Sequence, residues 1–84
     1  MDNIRSFDLI INIDLENDSE NKIISVFSKA LEEKGFKLSD GTVTLRNNRL
    51  SSIRVVDKYS GEELEMYAFS KTTGSKTFIS VKIV

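Results

Sequence analysis

Apolar and polar residues alternate along most of this chain. Over residues 6–15 the apolar side chains fall at every second position, with polar residues between them. A period of two sustained over this length predicts a strand with one buried face. Ile10 is an exception, because it shares its face with Asp8 and Asn12. It either packs against a neighbouring side chain or takes part in a contact with a partner.

Residues 17–36 have the period of a helix instead. Apolar residues recur three and four positions apart, at Ile23, Ile24, Phe27, Ala30 and Leu31. This spacing predicts one buried stripe along an amphipathic helix. Asn17, Asp18 and Ser19 are all competent caps at its start, and Gly35 predicts a left-handed stop at its end.

Four turn signals divide the remainder into short strands. They are Asp40-Gly41, Asn47-Asn48, Ser60-Gly61 and Thr73-Gly74-Ser75, whose residues favour tight turns. The predicted strands are 36–39, 42–46, 49–57, 62–70 and 76–84. We therefore expect an α+β fold in which one long helix packs on one face of a mainly antiparallel, five- to six-stranded sheet. The expected order is β-α-β-β-β-β, with an extra short strand allowed after the helix.

The alternation also assigns residues to the two faces of the sheet. The face that the helix must cover gathers Leu9, Ile11, Ile13, Val43, Leu45, Ile53, Val55, Leu64, Met66, Ala68, Ile79, Val81 and Ile83. Leu50 breaks the parity of its strand. Either a bulge at Ser51-Ser52 restores the alternation or Leu50 faces out near the turn.

Composition narrows the chemistry. With 84 residues the chain predicts a single α+β domain over residues 1–84. It contains no cysteine and no histidine, which excludes disulfides, thiolate metal sites and the commonest general base. The acidic run Asp14, Glu16, Asp18 and Glu20 lacks the glycine and distal glutamate of a calcium loop. We expect no enzymatic activity, no cofactor and no metal.

Charge and hydropathy suggest where the protein works. The first segment has neither the cationic start nor the continuous apolar core of a secretory signal, and no apolar run is long enough for a membrane span, so we expect a cytoplasmic protein without a membrane partner. Residues 1–42 are acidic by four charges and residues 43–84 are basic by three. Either the two halves attract each other within the fold, or the second half forms a basic surface for an acidic partner.

The sheet face away from the helix is the candidate binding surface. Its predicted site residues combine cations with aromatic rings: Arg46, Arg54, Tyr67, Phe69, Phe78 and Lys82. Three interpretations fit this combination. The rings form a minor core with Ile10 and Val56, they contact a protein partner, or they stack the bases of a single-stranded nucleic acid.

The C-terminal segment FISVKIV is an apolar, β-branched strand whose only charge is Lys82. At the edge of the sheet it would offer its main chain to another strand, and a homodimer through this strand would follow. In the interior of the sheet it would pair within its own chain.

These patterns favour a small non-enzymatic binding protein that inhibits or modulates a macromolecular partner, of the kind that phages and mobile elements encode. The partner expected first is a protein. The alternative is a single-stranded nucleic-acid-binding protein that uses Tyr67, Phe69 and Arg54. An enzyme or a structural component of a virion ranks third.

Overall fold

The computed structural model describes residues 5–41 and 43–83, which form one helix and one five-stranded sheet. In chain order the elements are β1 (Arg5–Ile11), α1 (Glu20–Glu33), β2 (Phe36–Leu38), β3 (Arg49–Asp57), β4 (Glu63–Thr73) and β5 (Lys76–Ile83). The strands lie in the order β1-β5-β4-β3-β2, and every neighbouring pair is antiparallel. The α+β fold and the order β-α-β-β-β-β are thus confirmed.

The helix begins and ends where its side chains allow. Among the competent caps the structure uses Ser19, whose hydroxyl oxygen accepts a hydrogen bond from the backbone N–H of Lys22 at 3.2 Å. At the other end Gly35 has a φ of 94°, the left-handed conformation that favours glycine. Its N–H donates to the carbonyl of Glu32 at 3.0 Å, which satisfies one of the last helical carbonyls.

The core lies between α1 and one face of the sheet. Ile23, Phe27 and Leu31 form the buried stripe of the helix, as the spacing predicts. From the sheet side the buried residues alternate with exposed ones, and in β5 every second residue from Thr77 to Ile83 is buried. The core from the strands and loops comprises Leu9, Ile11, Ile13, Phe36, Leu45, Ile53, Val55, Met66, Ala68, Ile79, Val81 and Ile83.

The sheet curls until its two edge strands meet on the core side. Phe7 of β1 and Phe36 of β2 stack with ring centroids 6.0 Å apart and planes 14° apart. In a flat sheet four strand spacings of about 4.8 Å would hold these edges about 19 Å apart. The Arg5 side chain closes the same junction, since its guanidinium lies 5.3 Å from the centroid of the Phe36 ring and 3.2 Å from a carboxylate oxygen of Asp57.

The predicted strand 42–46 is wrong over residues 43–46; Thr42 lies outside the described residues. β3 already has a partner on that side, because β2 pairs with it from Phe36↔Asp57 to Leu38↔Val55. The segment 43–46 instead runs as irregular chain that inserts Leu45 into the core. Asp40-Gly41 is therefore a bend in a longer connection and does not form a hairpin.

The strand register also determines where β1 and β4 end and which way Leu50 faces. β1 ends at Ile11 rather than at residue 15, because residues 14–18 turn into the helix, and β4 runs on to Thr73. β3 pairs with β4 without a break from Arg49↔Ser70 to Val56↔Glu63, so no bulge is present and Leu50 faces out.

The C-terminal strand is interior, which contradicts its use for dimerisation. β5 pairs with β1 on one side and with β4 on the other, and both ladders reach Ile83. Its main-chain donors and acceptors are therefore engaged within the chain, and a homodimer through this strand has no free ladder to use.

Candidate functional site

The side of the sheet opposite α1, which we call the open face, has no described element packed on it. The strand register places its residues in rows. From β1 to β2 they are Ser6, Asp8 and Ile10; Lys76, Phe78, Ser80 and Lys82; Glu63, Glu65, Tyr67, Phe69, Lys71 and Thr73; Leu50, Ser52, Arg54 and Val56; and Lys37.

A band of large apolar side chains crosses the open face from β3 to β1. Leu50 lies directly opposite Phe69, and Ile10 lies directly opposite Phe78. Phe69 and Phe78 are diagonal neighbours, because their cross-strand partners are Ser80 and Lys71. Their relative exposures are 65% for Leu50, 43% for Phe69, 47% for Phe78 and 62% for Ile10. We call these four residues the apolar band.

The exposure of Phe69, Phe78 and Ile10 contradicts the minor-core interpretation for these three residues. The members of the apolar band are four of the five large hydrophobic residues that are exposed in the described part of the chain. The fifth, Tyr59, lies in the turn between β3 and β4. Tyr67 and Val56, in contrast, are half-buried among their neighbours.

A depression beside the apolar band has a volume of about 420 Å³. It lies where small side chains leave room on β1 and β5, at Ser6 and Ser80, and Tyr67 and Leu50 border it. Asp8 and Lys82 also line it, so one carboxylate and one ammonium group lie at its margin. This volume is within the range of cavities that accept a buried group of a ligand or partner.

Cations outnumber anions on the open face. Its described charges are five cations, Lys37, Arg54, Lys71, Lys76 and Lys82, and three anions, Asp8, Glu63 and Glu65. Two of the anions are already engaged. Glu63 accepts a hydrogen bond from Ser39 at 2.7 Å and lies 3.8 Å from Arg54, and Glu65 accepts one from Ser52 at 2.5 Å.

Four lysines of the open face have no such partner in the described part of the chain, and three of them lie near the apolar band; the fourth, Lys37, is opposite Val56, six residues from Leu50 along β3. Among the described residues, no carboxylate oxygen lies within 4.0 Å of the ammonium groups of Lys71, Lys76 or Lys82. Lys71 lies directly opposite Phe78, and Lys82 lies directly opposite Tyr67. These three unpaired cations therefore border the apolar side chains.

The structure brings five of the six predicted site residues together. Arg54, Tyr67, Phe69, Phe78 and Lys82 share the open face. Arg46 does not join them, because it lies in the irregular segment before β3. It lines a second cavity, of about 490 Å³, whose other residues are Val43, Thr44, Arg49, Leu50, Ser51 and Ser52. Leu50 borders both cavities.

Sequence reasoning left Ile10, Leu50, Lys71 and Lys76 out of the site. Ile10 and Leu50 are the two residues that break the alternation of their strands, and that mismatch was the available signal. Lys71 falls beyond residue 70, where the predicted strand ended, although it continues the parity of Tyr67 and Phe69.

Two carboxylates of the acidic run before the helix form hydrogen bonds within the turn at residues 14–18. The Asp14 carboxylate accepts hydrogen bonds from the Asn17 side chain at 2.7 Å and from the Glu16 N–H at 2.9 Å, which lower the pKa of Asp14. Asp18 accepts from the Asp14 N–H at 2.8 Å and lies 3.4 Å from Lys22. Over the described residues, no group of three carboxylates converges as a metal site would require.

Neither the helix nor the comparisons add a functional assignment. In the described ranges, no helix has both the length and the apolar content to cross a membrane. No protein-family model matches the chain, and no curated protein and no solved structure shows significant similarity to it.

Proposed function

We propose that this protein is a non-enzymatic binding protein whose open face contacts a partner protein. The observation that carries the proposal is the apolar band, four large side chains left exposed on four neighbouring strands. Exposed apolar side chains that lie together, rather than singly, are typical of interaction surfaces.

The composition of the open face supports a protein partner. Phenylalanine and arginine contribute strongly to protein interfaces when a partner removes them from water. The band spans three strand spacings, about 14 Å, and polar side chains surround it. This arrangement matches an interface with an apolar centre and a polar rim. The depression beside Tyr67 offers a place for one side chain of the partner.

The finer expectations are part of the same proposal. We place the protein in the cytoplasm and assign it an inhibitory or modulating role, of the kind that phage and mobile-element proteins have. The absence of histidine and cysteine from the sequence supports binding over catalysis. Inhibition would follow if the open face covers a working surface of its partner.

Single-stranded nucleic acid is the second candidate partner. Phe69 and Phe78 expose nearly half of their surface beside Lys71 and Lys82, which is the combination that stacks unpaired bases over cations. Leu50 and Ile10 count against it, because aliphatic side chains at both ends of the band cannot stack as aromatic rings do.

The proposal is tested by affinity capture from a lysate of the source cells with the wild-type protein and two variants. We expect one protein at near-stoichiometric yield on the wild type, and its loss on the double variant Phe69→Ser/Phe78→Ser. Tyr59→Ser is the matched control, since Tyr59 is 90% exposed and lies outside the open face.

Circular dichroism and the melting temperature establish that both variants are folded. Capture of nucleic acid instead of protein would favour the second candidate. Retention of the same protein by the Phe69→Ser/Phe78→Ser variant, or its loss from the Tyr59→Ser variant, would overturn the assignment of the open face.

A further inference from the structure

Three of the four unpaired lysines of the open face lie on the two sides of the apolar band along the strands. Lys71 follows Phe69 by two residues on β4, and Lys76 precedes Phe78 by two residues on β5. Lys82 lies beyond the band in the other direction, opposite Tyr67. A partner segment that lies along the strands over Phe69 and Phe78 would therefore meet a cation on each side of the band.

The spacing of these cations can be estimated from strand geometry. Lys82 is opposite Tyr67, so it is four residues along the sheet from Lys71 and one strand across. At about 3.4 Å per residue and about 4.8 Å between strands, their Cα atoms are about 14 Å apart. Four residues of an extended partner chain cover the same distance.

The anions of the open face do not neutralise these lysines. Glu63 and Glu65 are engaged by Ser39, Arg54 and Ser52 at the start of β4, and Glu65 is a diagonal neighbour of Lys82 without an ion pair to it. Asp8 lies opposite Ser80, and no described cation is within 4.0 Å of it. The three ammonium groups thus remain available to carboxylates supplied from outside.

We infer that the partner of the open face presents an acidic protein segment, in which apolar anchor residues are flanked by carboxylates. This inference rests on the proposed function and names the chemistry of the partner. The anchors lie on the apolar band and in the depression beside Tyr67, and the carboxylates pair with Lys71 or Lys76 at one end and with Lys82 at the other. Charge complementarity selects the partner, and apolar burial stabilises the complex.

The same charges disfavour nucleic acid. A nucleic-acid backbone carries a phosphate at every nucleotide and needs a continuous cationic track. Here Phe69, Phe78 and Ser80 separate Lys82 from Lys71 and Lys76, and Asp8 lies beside Ser80. A protein segment, in contrast, can place its carboxylates individually and leave uncharged residues opposite Asp8.

The test is selection from a displayed library of short random peptides against the intact protein. We expect the enriched peptides to be rich in Leu, Phe or Trp and in Asp or Glu. The enriched peptides, made synthetically, should bind the double variant Lys71→Glu/Lys82→Glu about tenfold more weakly than wild type, as the loss and reversal of two exposed charge pairs predicts. Their binding to wild type should also weaken as salt concentration rises.

The matched control is Lys22→Glu/Lys58→Glu, which changes the net charge equally. Lys22 lies in the first turn of α1 and Lys58 in the turn after β3, both exposed and outside the open face. It should bind the peptides within about twofold of wild type. A fluorescent oligothymidylate, assayed in parallel, should not bind at physiological salt.

Each other outcome overturns the inference. Enrichment of neutral or basic peptides, no enrichment, or equal weakening in the control would reject an acidic segment, and salt-sensitive oligothymidylate binding would replace it with nucleic acid. The inference and the proposed function are tested separately. If Phe69→Ser/Phe78→Ser abolishes peptide binding while Lys71→Glu/Lys82→Glu does not weaken it, the open face is the binding surface but its preference for acidic segments is wrong.

Discussion

Two buried hydroxyl groups in neighbouring strands have opposite hydrogen-bonding states. The Thr77 hydroxyl donates to the carbonyl of Ile13 at 2.6 Å and accepts from the Thr72 hydroxyl at 2.8 Å. The Thr72 oxygen in turn accepts from the N–H of Leu15 at 3.1 Å. This chain fixes the connection between β1 and α1 to the β4–β5 hairpin. The Ser70 hydroxyl, equally buried, has no hydrogen-bond partner among the described residues.

We therefore predict opposite effects from two substitutions of similar size. Thr77→Val should lower the free energy of unfolding by about 1–3 kcal/mol, because it leaves the Ile13 carbonyl buried without its donor. Ser70→Ala should raise it by about 1 kcal/mol, because it removes a desolvated hydroxyl that forms no hydrogen bond. Urea denaturation measures both. A loss of stability in Ser70→Ala would mean that this hydroxyl has a partner.

Gly35 is the glycine where backbone conformation and a neighbouring side chain both oppose substitution. Its φ is 94°, and an added Cβ would lie 3.0 Å from Cε2 of Tyr59. Gly35→Ala should lower the free energy of unfolding by about 1 kcal/mol, through strain at a positive φ. The Tyr59 ring is exposed and can move, so we expect the contact to add little.

Gly41→Ala separates the two causes. Gly41 has a φ of 77°, and an added Cβ there would meet nothing within 4 Å. Similar losses in the two variants, measured by thermal unfolding, would assign the effect to φ. A much larger loss in Gly35→Ala that Tyr59→Ala relieves would assign it to the ring, and an unchanged melting temperature would contradict both.

Between elements, the closure of the curled sheet depends on a stack of alternating side chains. The Lys34 ammonium lies 5.7 Å from the centroid of the Phe7 ring, Phe7 stacks on Phe36, and the Arg5 guanidinium lies over Phe36. Arg5 then pairs with Asp57 at the end of β3. Cation–π contacts and stacked rings thus join the end of α1 to both edges of the sheet.

Asp57 is the anion of this junction, and its hydrogen bonds lower its pKa. The backbone N–H groups of Tyr59 and Ser60 donate to it at 2.8 and 3.2 Å, and the Arg5 guanidinium is a further donor. A carboxyl whose pKa is lower when folded stabilises the fold fully above its ordinary value, about 4, and loses that contribution as pH falls through the folded pKa. The free energy of unfolding should therefore decrease as the pH falls below about 4.

Asp57→Asn tests this dependence. Because asparagine does not titrate, the variant should lose less stability than wild type between neutral pH and the acid range. Arg5→Gln should reduce the dependence of the unfolding free energy on pH only in part, since the two backbone donors lower the pKa of Asp57 more than Arg5 does. Chemical denaturation across pH gives the profiles. An Arg5→Gln profile as flat as that of Asp57→Asn would assign the pH dependence to the ion pair.

The elements that could be predicted from the sequence are those that local patterns determine. The helix, its glycine stop and the β4–β5 hairpin at Gly74-Ser75 depend on residues within a few positions of one another. The pairing of β2 with β3 and the interior position of β5 depend on residues far apart in the chain. Because β2 occupies the side of β3 that the segment 43–46 would need, that segment does not join the sheet. Arg46 therefore does not lie in the predicted site.

For the molecule as a whole, the basic second half of the sequence supplies most of the cations on the open face. Four of the five cations on the open face come from the basic second half of the chain. The described ion pairs do not join an acidic residue of the first half to a basic residue of the second. These ion pairs therefore give no support to attraction between the two halves. The cations that the second half contributes to the open face support the alternative, a basic surface.

The interior position of β5 also affects how the chain folds. β5 is the last described strand to be synthesised, yet it is the strand that links β1 to β4. Until it leaves the ribosome, β1 has no ladder partner and the strand pairs Arg5↔Ile83 and Leu9↔Ile79 cannot form. Contacts between residues so distant in sequence raise the contact order and slow folding. The nascent chain thus leaves core residues of β1 without their sheet partner until β5 has emerged from the ribosome.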